Sequence, residues 1–302
     1  MNPSLDKPLL EPAADKPAPS KLGLLARMVV YAVVAWLSII TFSSILYNVV
    51  DSLITSVLVV FGAAALANTF TLRIFERGGR ADVGLGFHGA WLRHLWIGVA
   101  AAAVAGALTV LVPAAFGLAS WEKTSLATVS WNGLIYTMVV LGLGVMGEEL
   151  FFRGYGFQVA LPALGTFGTL LPMGVLFALA HGSNLNVSRI ALFNTFAWGV
   201  LLGWAVLRSG DLWLAIGLHA GWNWVLPLMG VNLSGFTMKL TAYDVRWGLP
   251  DMWSGGAYGP EGGLLCTVVI GLLVLVLWRA PLRPQTLTLL RQPAISEGGP
   301  AT

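Results

Sequence analysis

Charged residues are scarce in this 302-residue sequence: Asp, Glu, Lys and Arg together make up 10% of it. A soluble domain carries about 25%. Hydrophobic residues account for 57% of the chain, and the mean hydropathy is +0.78. So little charge cannot cover the surface of a water-soluble protein. The composition therefore excludes an ordinary soluble domain and indicates an integral membrane protein.

Cysteine is almost absent. The single cysteine, Cys266, lies in the apolar run GGLLCTVVIGLL, so an intrachain disulfide is excluded. We expect it to be a small buried hydrophobic residue. The net charge is +3 and the pI is about 9.2. In a membrane protein an excess of Lys and Arg reflects topology, so we expect no nucleic-acid partner.

Long apolar segments fill most of the chain. A membrane-spanning helix needs about 20 predominantly apolar residues. Eight segments are candidates, at about 28–50, 52–72, 95–118, 128–147, 165–182, 190–207, 212–229 and 263–278. We expect the fourth to continue as a helix past its last residue. The sequence therefore predicts an all-α, polytopic membrane protein with about eight transmembrane helices.

The polar segments divide the rest of the chain. The predicted divisions are a disordered tail at 1–21, a transmembrane helical bundle at 22–280 and a C-terminal tail at 281–302. A charged loop separates the second and third apolar segments, and we expect its His88 and His94 to lie at the surface. A longer polar segment, about 230–262, separates the last two and has no assigned role.

The distribution of Lys and Arg predicts the orientation. With a cytoplasmic N-terminus, the cytoplasmic side carries Lys7, Lys16, Lys21, Arg27, Arg73, Arg77, Arg80, Arg93, Arg208, Arg279, Arg283 and Arg291. The far side carries Lys123, Arg189, Lys239 and Arg246. Because cytoplasmic loops are enriched in Lys and Arg, we expect both termini in the cytoplasm. The expected location is the plasma membrane of a bacterium.

A few ionisable residues interrupt the apolar segments, and the run GEELFFRG holds three of them. Such groups cost several kcal/mol at membrane depth and commonly mark functional sites. On a helix Glu149 and Arg153 share a face, which predicts a mutually neutralising pair. Glu148 is rotated by about 100° and keeps its carboxylate free to act as a general base. The alternative is a charge cluster at a helix end without catalysis.

A second motif, FALAH, places Phe177 and His181 four residues apart at the end of the fifth apolar segment. Taken alone, such a histidine is more often a hydrogen-bonded core residue than a catalyst. However, Glu148 lies 17 residues before Gly165, and His181 lies 16 residues after it. A hairpin that turns at Gly165 would bring Glu148 and His181 to a similar depth, because each helical residue rises by 1.5 Å.

A third motif, HAGWN, places His219 and Asn223 on one helix face, where they could simply hydrogen-bond neighbouring helices. Taken together, the three motifs suggest hydrolysis without a covalent intermediate. A carboxylate and a histidine can deprotonate a water, and a histidine and an asparagine can stabilise an oxyanion. A zinc site formed by Glu148, His181 and His219 is the rival interpretation, although no HExxH motif is present.

The ordered motifs EELFFR, FALAH and HAGWN resemble the CAAX protease and bacteriocin-processing family, also called the CPBP or Abi family. The resemblance covers about residues 125–228, which would form the protease core of the bundle. It implies an eight-helix intramembrane endopeptidase whose site opens toward the cytosol. The implied substrate is a membrane-bound or lipid-modified peptide, or a leader peptide such as that of a bacteriocin.

The resemblance also implies roles for individual residues. Water activation falls to Glu148 and His181, oxyanion stabilisation to His219 and Asn223, and structural support to Glu149, Arg153 and Phe177. No cofactor is expected, with zinc as the alternative because the family has been labelled a metalloprotease group. Two other classes stay open: a non-catalytic membrane scaffold with the same fold, and a transporter that relays protons through carboxylates. The sequence has no internal repeat, which disfavours the transporter.

Overall fold

The computed structural model describes residues 20–47, 52–124, 130–282 and 289. Nearly all of the two predicted tails lies outside these residues. In the described part, the helices are α1 (Lys21–Leu46), α2 (Ser52–Thr71), α3 (Trp91–Ala115), α4 (Trp131–Arg153), α5 (Tyr155–Ala180), α6 (Arg189–Ser209), α7 (Trp213–Leu228), α8 (Asp251–Ser254) and α9 (Leu264–Arg279). The strands are β1 (Ala119–Lys123) and β2 (Tyr243–Trp247).

Every predicted apolar segment overlaps a helix in the described residues, and α8 is a short addition within the polar segment 230–262. Five helical stretches in the described residues are long and apolar enough to cross a membrane: Lys21–Leu46, Leu53–Glu76, Trp91–Ala115, Trp131–Ala180 and Arg189–Ser209. The fourth of them contains both α4 and α5, and α9 is apolar but shorter. A mostly helical integral membrane protein is therefore confirmed. The count of eight spans stays a prediction.

Helix α5 is interrupted at Gly165, whose backbone has φ 72° and ψ 176°. Only glycine adopts such a conformation at little cost. The chain turns back at this point, since His181, directly after α5, lies beside Glu148 of α4. The turn predicted near Gly165 is confirmed, and the helical piece 155–164 precedes it.

Helices α3 and α7 pack so closely that their contact requires glycine. A Cβ atom on Gly217 would lie 2.1 Å from the carbonyl oxygen of Leu95, and one on Gly221 would lie 2.3 Å from that of Val99. Small residues at such contacts are typical of membrane helices, because backbones can then approach each other. The packing holds His219, between the two glycines, at a fixed position in the bundle.

The connecting segments lie on two opposite faces of the bundle. We call the first the arginine-rich face: it comprises the start of α1, the segment 72–90, the turn 209–212 and the end of α9. Arg27 of α1 contacts Glu76 at 3.1 Å, and Arg93 donates to the carbonyl oxygen of Pro281 at 2.8 Å. These contacts hold the parts of this face together.

We call the second the sheet face: it comprises β1, the segment 181–188 and the segment 230–262. Strands β1 and β2 pair antiparallel, with Ala119 opposite Trp247 and Lys123 opposite Tyr243. The pairing joins the chain after α3 to the chain after α7. It fixes one part of the segment 230–262 against the bundle.

The expectation that His88 and His94 are surface residues is wrong for His94, which is completely buried. Its Nδ1 lies 2.6 Å from Oδ2 of Asp211, and Nε2 of His88 lies 2.7 Å from the same oxygen. A buried polar group is retained where it has such a partner. Asp211 supplies that partner from the turn before α7.

Candidate active site

The predicted pair of Glu149 and Arg153 forms on one face of α4, and both side chains are completely buried. Nη1 of Arg153 donates to Oε1 of Glu149 at 3.2 Å. Its Nη2 donates to the carbonyl oxygen of Gly199 at 3.0 Å. Gly199 lies in the middle of α6, so the pair also ties α4 to α6.

Glu149 has a second partner that helical spacing does not reveal. Nδ1 of His219 lies 2.8 Å from the same carboxylate oxygen that Arg153 contacts. An ionised carboxylate only accepts hydrogen bonds, so Nδ1 of His219 donates. The other ring nitrogen, Nε2, then faces Glu148. Glu149 therefore neutralises Arg153 and also orients His219.

Glu148 faces a cavity, and 27% of its side chain is exposed, against none of the Glu149 side chain. Oε2 of Glu148 lies 3.7 Å from Nε2 of His181 and 3.9 Å from Nε2 of His219. These separations exceed a direct hydrogen bond. They suit a bridging water that contacts two of the groups at once.

His181 is held in one orientation by its own helix. Its Nδ1 lies 2.8 Å from the carbonyl oxygen of Phe177. A carbonyl oxygen can only accept, so Nδ1 carries the proton and Nε2 presents a lone pair toward Glu148. The Phe177 ring packs against the His181 ring at 4.7 Å and under the guanidinium of Arg153 at 4.4 Å. Phe177 thus supports two of the predicted site residues.

Glu148, His181 and His219 lie on the wall of a cavity of about 750 Å³. Asn223 lines the same cavity, one helical turn after His219, as the HAGWN spacing predicts. Most of the other lining side chains are apolar, and they come from α1, α2, α4, α5, α6, α7 and the segment 230–262. The structure therefore brings Glu148, His181, His219 and Asn223 together in one largely apolar chamber.

A second carboxylate, Glu261, lines the cavity, and the sequence reasoning missed it. It lies outside the three motifs, and its one signal was an acidic residue in the glycine-rich run GAYGPEGG. Its Oε1 accepts a hydrogen bond from Nε1 of Trp222 at 3.1 Å, and its Oε2 accepts one from Oγ of Ser234 at 2.9 Å. Burial raises the pKa of Glu261 above its ordinary value, although these hydrogen bonds oppose the shift.

Asn194 of α6 fixes the backbone on either side of Glu261. Its Nδ2 donates to the carbonyl oxygens of Glu261 and Gly263, at 2.8 and 2.9 Å. Its Oδ1 accepts from Oγ1 of Thr267 at 2.7 Å. The segment 230–262 is therefore a built part of the cavity wall.

A different group of residues forms a tight cluster of possible metal ligands within the described part of the chain: His88, His94 and Asp211, whose candidate atoms lie within 4.8 Å of one another. However, the backbone N–H of Ala90 donates to Nδ1 of His88 at 3.2 Å. Nε2 of the neutral His88 ring then carries the proton, and a protonated nitrogen cannot bind a metal. The cluster is better explained as hydrogen bonding between the segment 72–90 and the turn before α7.

Comparison with known families points to the same three motifs. Residues 129–225, about a third of the chain, match the family model described as "Rce1-like: Type II CAAX prenyl endopeptidase Rce1-like". All of EELFFR, FALAH and HAGWN lie within the matched segment. A search of curated proteins found no significant match. The resemblance inferred from the motifs is confirmed over residues 129–225, which match the model of the Rce1-like type II CAAX prenyl endopeptidases.

Proposed function

We propose that the protein is an intramembrane endopeptidase that hydrolyses a peptide bond in a membrane-associated substrate. One observation carries the proposal: Oε2 of Glu148 lies 3.7 and 3.9 Å from the Nε2 atoms of His181 and His219, on the wall of a chamber between apolar helices. The family match over residues 129–225 supports the same class of reaction.

In this proposal, a water between Glu148 and His181 donates one hydrogen to Oε2 and the other to Nε2. Its free lone pair then points toward the carbonyl carbon of the substrate. Glu148 takes a proton as the new C–O bond forms and the carbonyl oxygen becomes an oxyanion. The proton passes to the leaving nitrogen as the C–N bond breaks. The oxyanion returns to a carbonyl, so the first products are a carboxylic acid and an amine. The acid then gives its proton to the amine, which leaves a carboxylate and an ammonium group.

His219 and Asn223 stabilise the oxyanion. Glu149 occupies Nδ1 of His219, so only Nε2 can serve the reaction. In its doubly protonated form this ring donates from Nε2 and carries a charge opposite to that of the oxyanion. The Asn223 side-chain amide adds a second, neutral donor from the next turn of α7.

The proposed substrate is a membrane-bound or lipid-modified peptide, or a leader peptide. The chamber lies among helices that meet the length and composition of membrane spans, and its lining is mostly apolar. A substrate segment with apolar side chains can therefore reach Glu148 from the membrane region. The lipid bilayer itself is the second expected partner.

A zinc-dependent form of the same hydrolysis is the second candidate, and a specific observation favours it. The Nδ1 atoms of His181 and His219 bond to a carbonyl oxygen and a carboxylate, and both Nε2 atoms face Glu148. Metal-binding histidines are commonly oriented in this way. Glu148, His181 and His219 would hold the ion, which when bound lowers the pKa of its water.

Cleavage of membrane-tethered peptides by the purified protein in detergent tests the proposal. We expect Glu148→Gln and His181→Ala to lower the cleavage rate by at least about 10²-fold, because each removes a group that activates water. Glu122→Gln is the matched control, since Glu122 is an exposed glutamate on β1. Undiminished cleavage by Glu148→Gln would overturn water activation by Glu148. A wild type that cleaves none of the peptides would favour the non-catalytic scaffold.

The same assay separates the two forms of the hydrolysis. Activity that is unaffected by a chelator supports water activated by Glu148 and His181 alone. Activity that the chelator removes and zinc restores supports the zinc form. A direct measurement of zinc bound per chain in wild type and Glu148→Gln gives a readout that does not depend on cleavage.

A further inference from the structure

In the described part of the chain, only one of the two faces of the bundle contributes connecting segments to the cavity lining. Its lining residues from connecting segments belong to the sheet face: Asn184, Leu233, Ser234, Phe236, Thr237, Met238 and Glu261. None of the lining residues in the described part of the chain comes from the segment 72–90 or the turn 209–212 of the arginine-rich face. A peptide that reaches the cavity through the loops must therefore pass the sheet face.

The depth of Glu148 agrees with this direction. Arg153 hydrogen-bonds to the carbonyl oxygen of Gly199, which lies ten residues from either end of α6. The end of α4 is thus level with the middle of α6. Glu148 lies five residues before Arg153, about 7.5 Å closer to the sheet face at 1.5 Å per residue. The reactive groups lie in the half of the bundle next to the sheet face.

Basic residues identify which face is cytoplasmic. In the described part of the chain, the arginine-rich face carries Lys21, Arg27, Arg73, Arg77, Arg80, Arg93, Arg208 and Arg279. The sheet face carries Lys123, Arg189, Lys239 and Arg246. Short loops rich in Lys and Arg stay in the cytoplasm. The sheet face, with the cavity next to it, then lies outside.

We propose that this protein takes its substrate from the extracytoplasmic side of the membrane. The inference rests on the proposed function and narrows its substrate to a segment of an exported or outward-facing membrane protein. It departs from one expectation of the sequence. A cytoplasmic start of α1 and a site reached from the cytosol cannot both hold, because α1 starts on the arginine-rich face and the cavity lies next to the sheet face.

Thiol labelling tests this orientation without relying on catalysis. Three exposed positions serve as single introduced cysteines: Ala81 on the arginine-rich face, Ser120 on β1 and Thr237 at the cavity. The native Cys266 is completely buried, so the parent protein gives the background. The labelling reagent is a membrane-impermeant maleimide, added to spheroplasts before and after permeabilisation.

We expect Ser120→Cys and Thr237→Cys to react in intact spheroplasts, and Ala81→Cys to react only after permeabilisation. The opposite pattern would overturn the orientation. Labelling of Ser120→Cys in intact spheroplasts without labelling of Thr237→Cys would overturn access to the cavity from outside. Each of these results is independent of peptidase activity.

The sidedness of cleavage completes the test. A membrane-impermeant peptide that the detergent-solubilised wild type cleaves is added to right-side-out and to inside-out membrane vesicles. We expect cleavage in the right-side-out vesicles, and none with Glu148→Gln. Cleavage confined to inside-out vesicles would overturn the inference and leave the endopeptidase intact. Absence of cleavage even in detergent would count against the proposed function, and the labelling pattern would still decide the orientation.

Discussion

Nδ1 of His219 lies 2.8 Å from Oε1 of Glu149, so a fully buried carboxylate joins α7 to α4. The same oxygen accepts a hydrogen bond from Arg153. Adjacent glutamates of one motif therefore differ in what they contact. Glu149 is enclosed by two partners on the protein side, and Glu148 points into the cavity.

The enclosed position of Glu149 predicts that Glu149→Gln is strongly destabilising. It removes the carboxylate that contacts the buried Arg153 guanidinium, and breaking such a pair costs about 3–5 kcal/mol. Chemical unfolding in detergent measures the loss. The exposed Glu122→Gln is the control and should change the unfolding free energy little. Equal stability of the two variants would contradict the importance of the buried pair.

Asn223→Ala should lower kcat by about 10²-fold with little change in KM, because an oxyanion donor acts mainly in the transition state. Steady-state cleavage of the peptide used for wild type measures both constants. Asn232→Ala is the control: its side-chain amide donates to the Ala257 carbonyl oxygen, outside the cavity. A rise in KM with unchanged kcat would instead place Asn223 in ground-state binding.

Glu261 predicts a pH dependence of stability. Burial raises the pKa of its carboxyl above the ordinary value of 4.5, and hydrogen bonds from Ser234 and Trp222 and the charge of His181 oppose this. The folded state then binds the proton more tightly than the unfolded state. Its contribution to the unfolding free energy therefore falls as the pH rises from about 4.5 through the raised pKa.

Replacement of Glu261 by glutamine removes this titration. We expect the Tm difference between wild type and Glu261→Gln to change across that pH range, with wild type losing ground as the pH rises. Thermal unfolding in detergent at several pH values measures it. Glu122→Gln should run parallel to wild type. A constant difference between wild type and Glu261→Gln would show that Glu261 does not titrate in this range.

Gly217→Ala should destabilise the bundle by about 1–3 kcal/mol, because the added methyl group must displace the backbone of α3. Gly271 of α9 is the matched control, since a Cβ there meets nothing within 4 Å. Alanine at that helical position should stabilise by roughly 0.5–1 kcal/mol. We also expect Gly217→Ala to lower the peptidase rate, since it shifts His219. Similar unfolding midpoints for both variants would contradict the tight contact.

Local patterns predicted a large part of this structure. The helices follow from apolar runs of membrane length, and the contact of Glu149 with Arg153 follows from a spacing of four residues. The approach of His181 to Glu148 follows from nearly equal distances along the chain to Gly165. Each of these predictions concerns one helix or one hairpin, in which the rise and rotation per residue are known.

Contacts between distant segments could not be predicted in the same way. His219 contacts Glu149, which lies 70 residues earlier in the chain. The position of His219 in the bundle depends on the close packing of α7 against α3 at Gly217. Glu261 lies in a segment without hydrophobic periodicity. The position of its backbone depends on the pairing of β1 with β2 and on the hydrogen bond from Asn194. The charged loop around His94 indicated a surface position for this residue. Its buried partner, Asp211, lies 117 residues later in the chain, so the pattern of the loop could not reveal it.

The origin of the cavity wall has a consequence for protein engineering. Residues 129–225 carry all three motifs, yet Val57 of α2 and Leu233, Met238 and Glu261 of the segment 230–262 also enclose the chamber. Expressed alone, the matched segment would lack these parts of the cavity wall and the hydrogen-bond partner of Trp222. Ile39 of α1 also lines the chamber, so the smallest unit that keeps the whole cavity wall extends at least from α1 to Glu261.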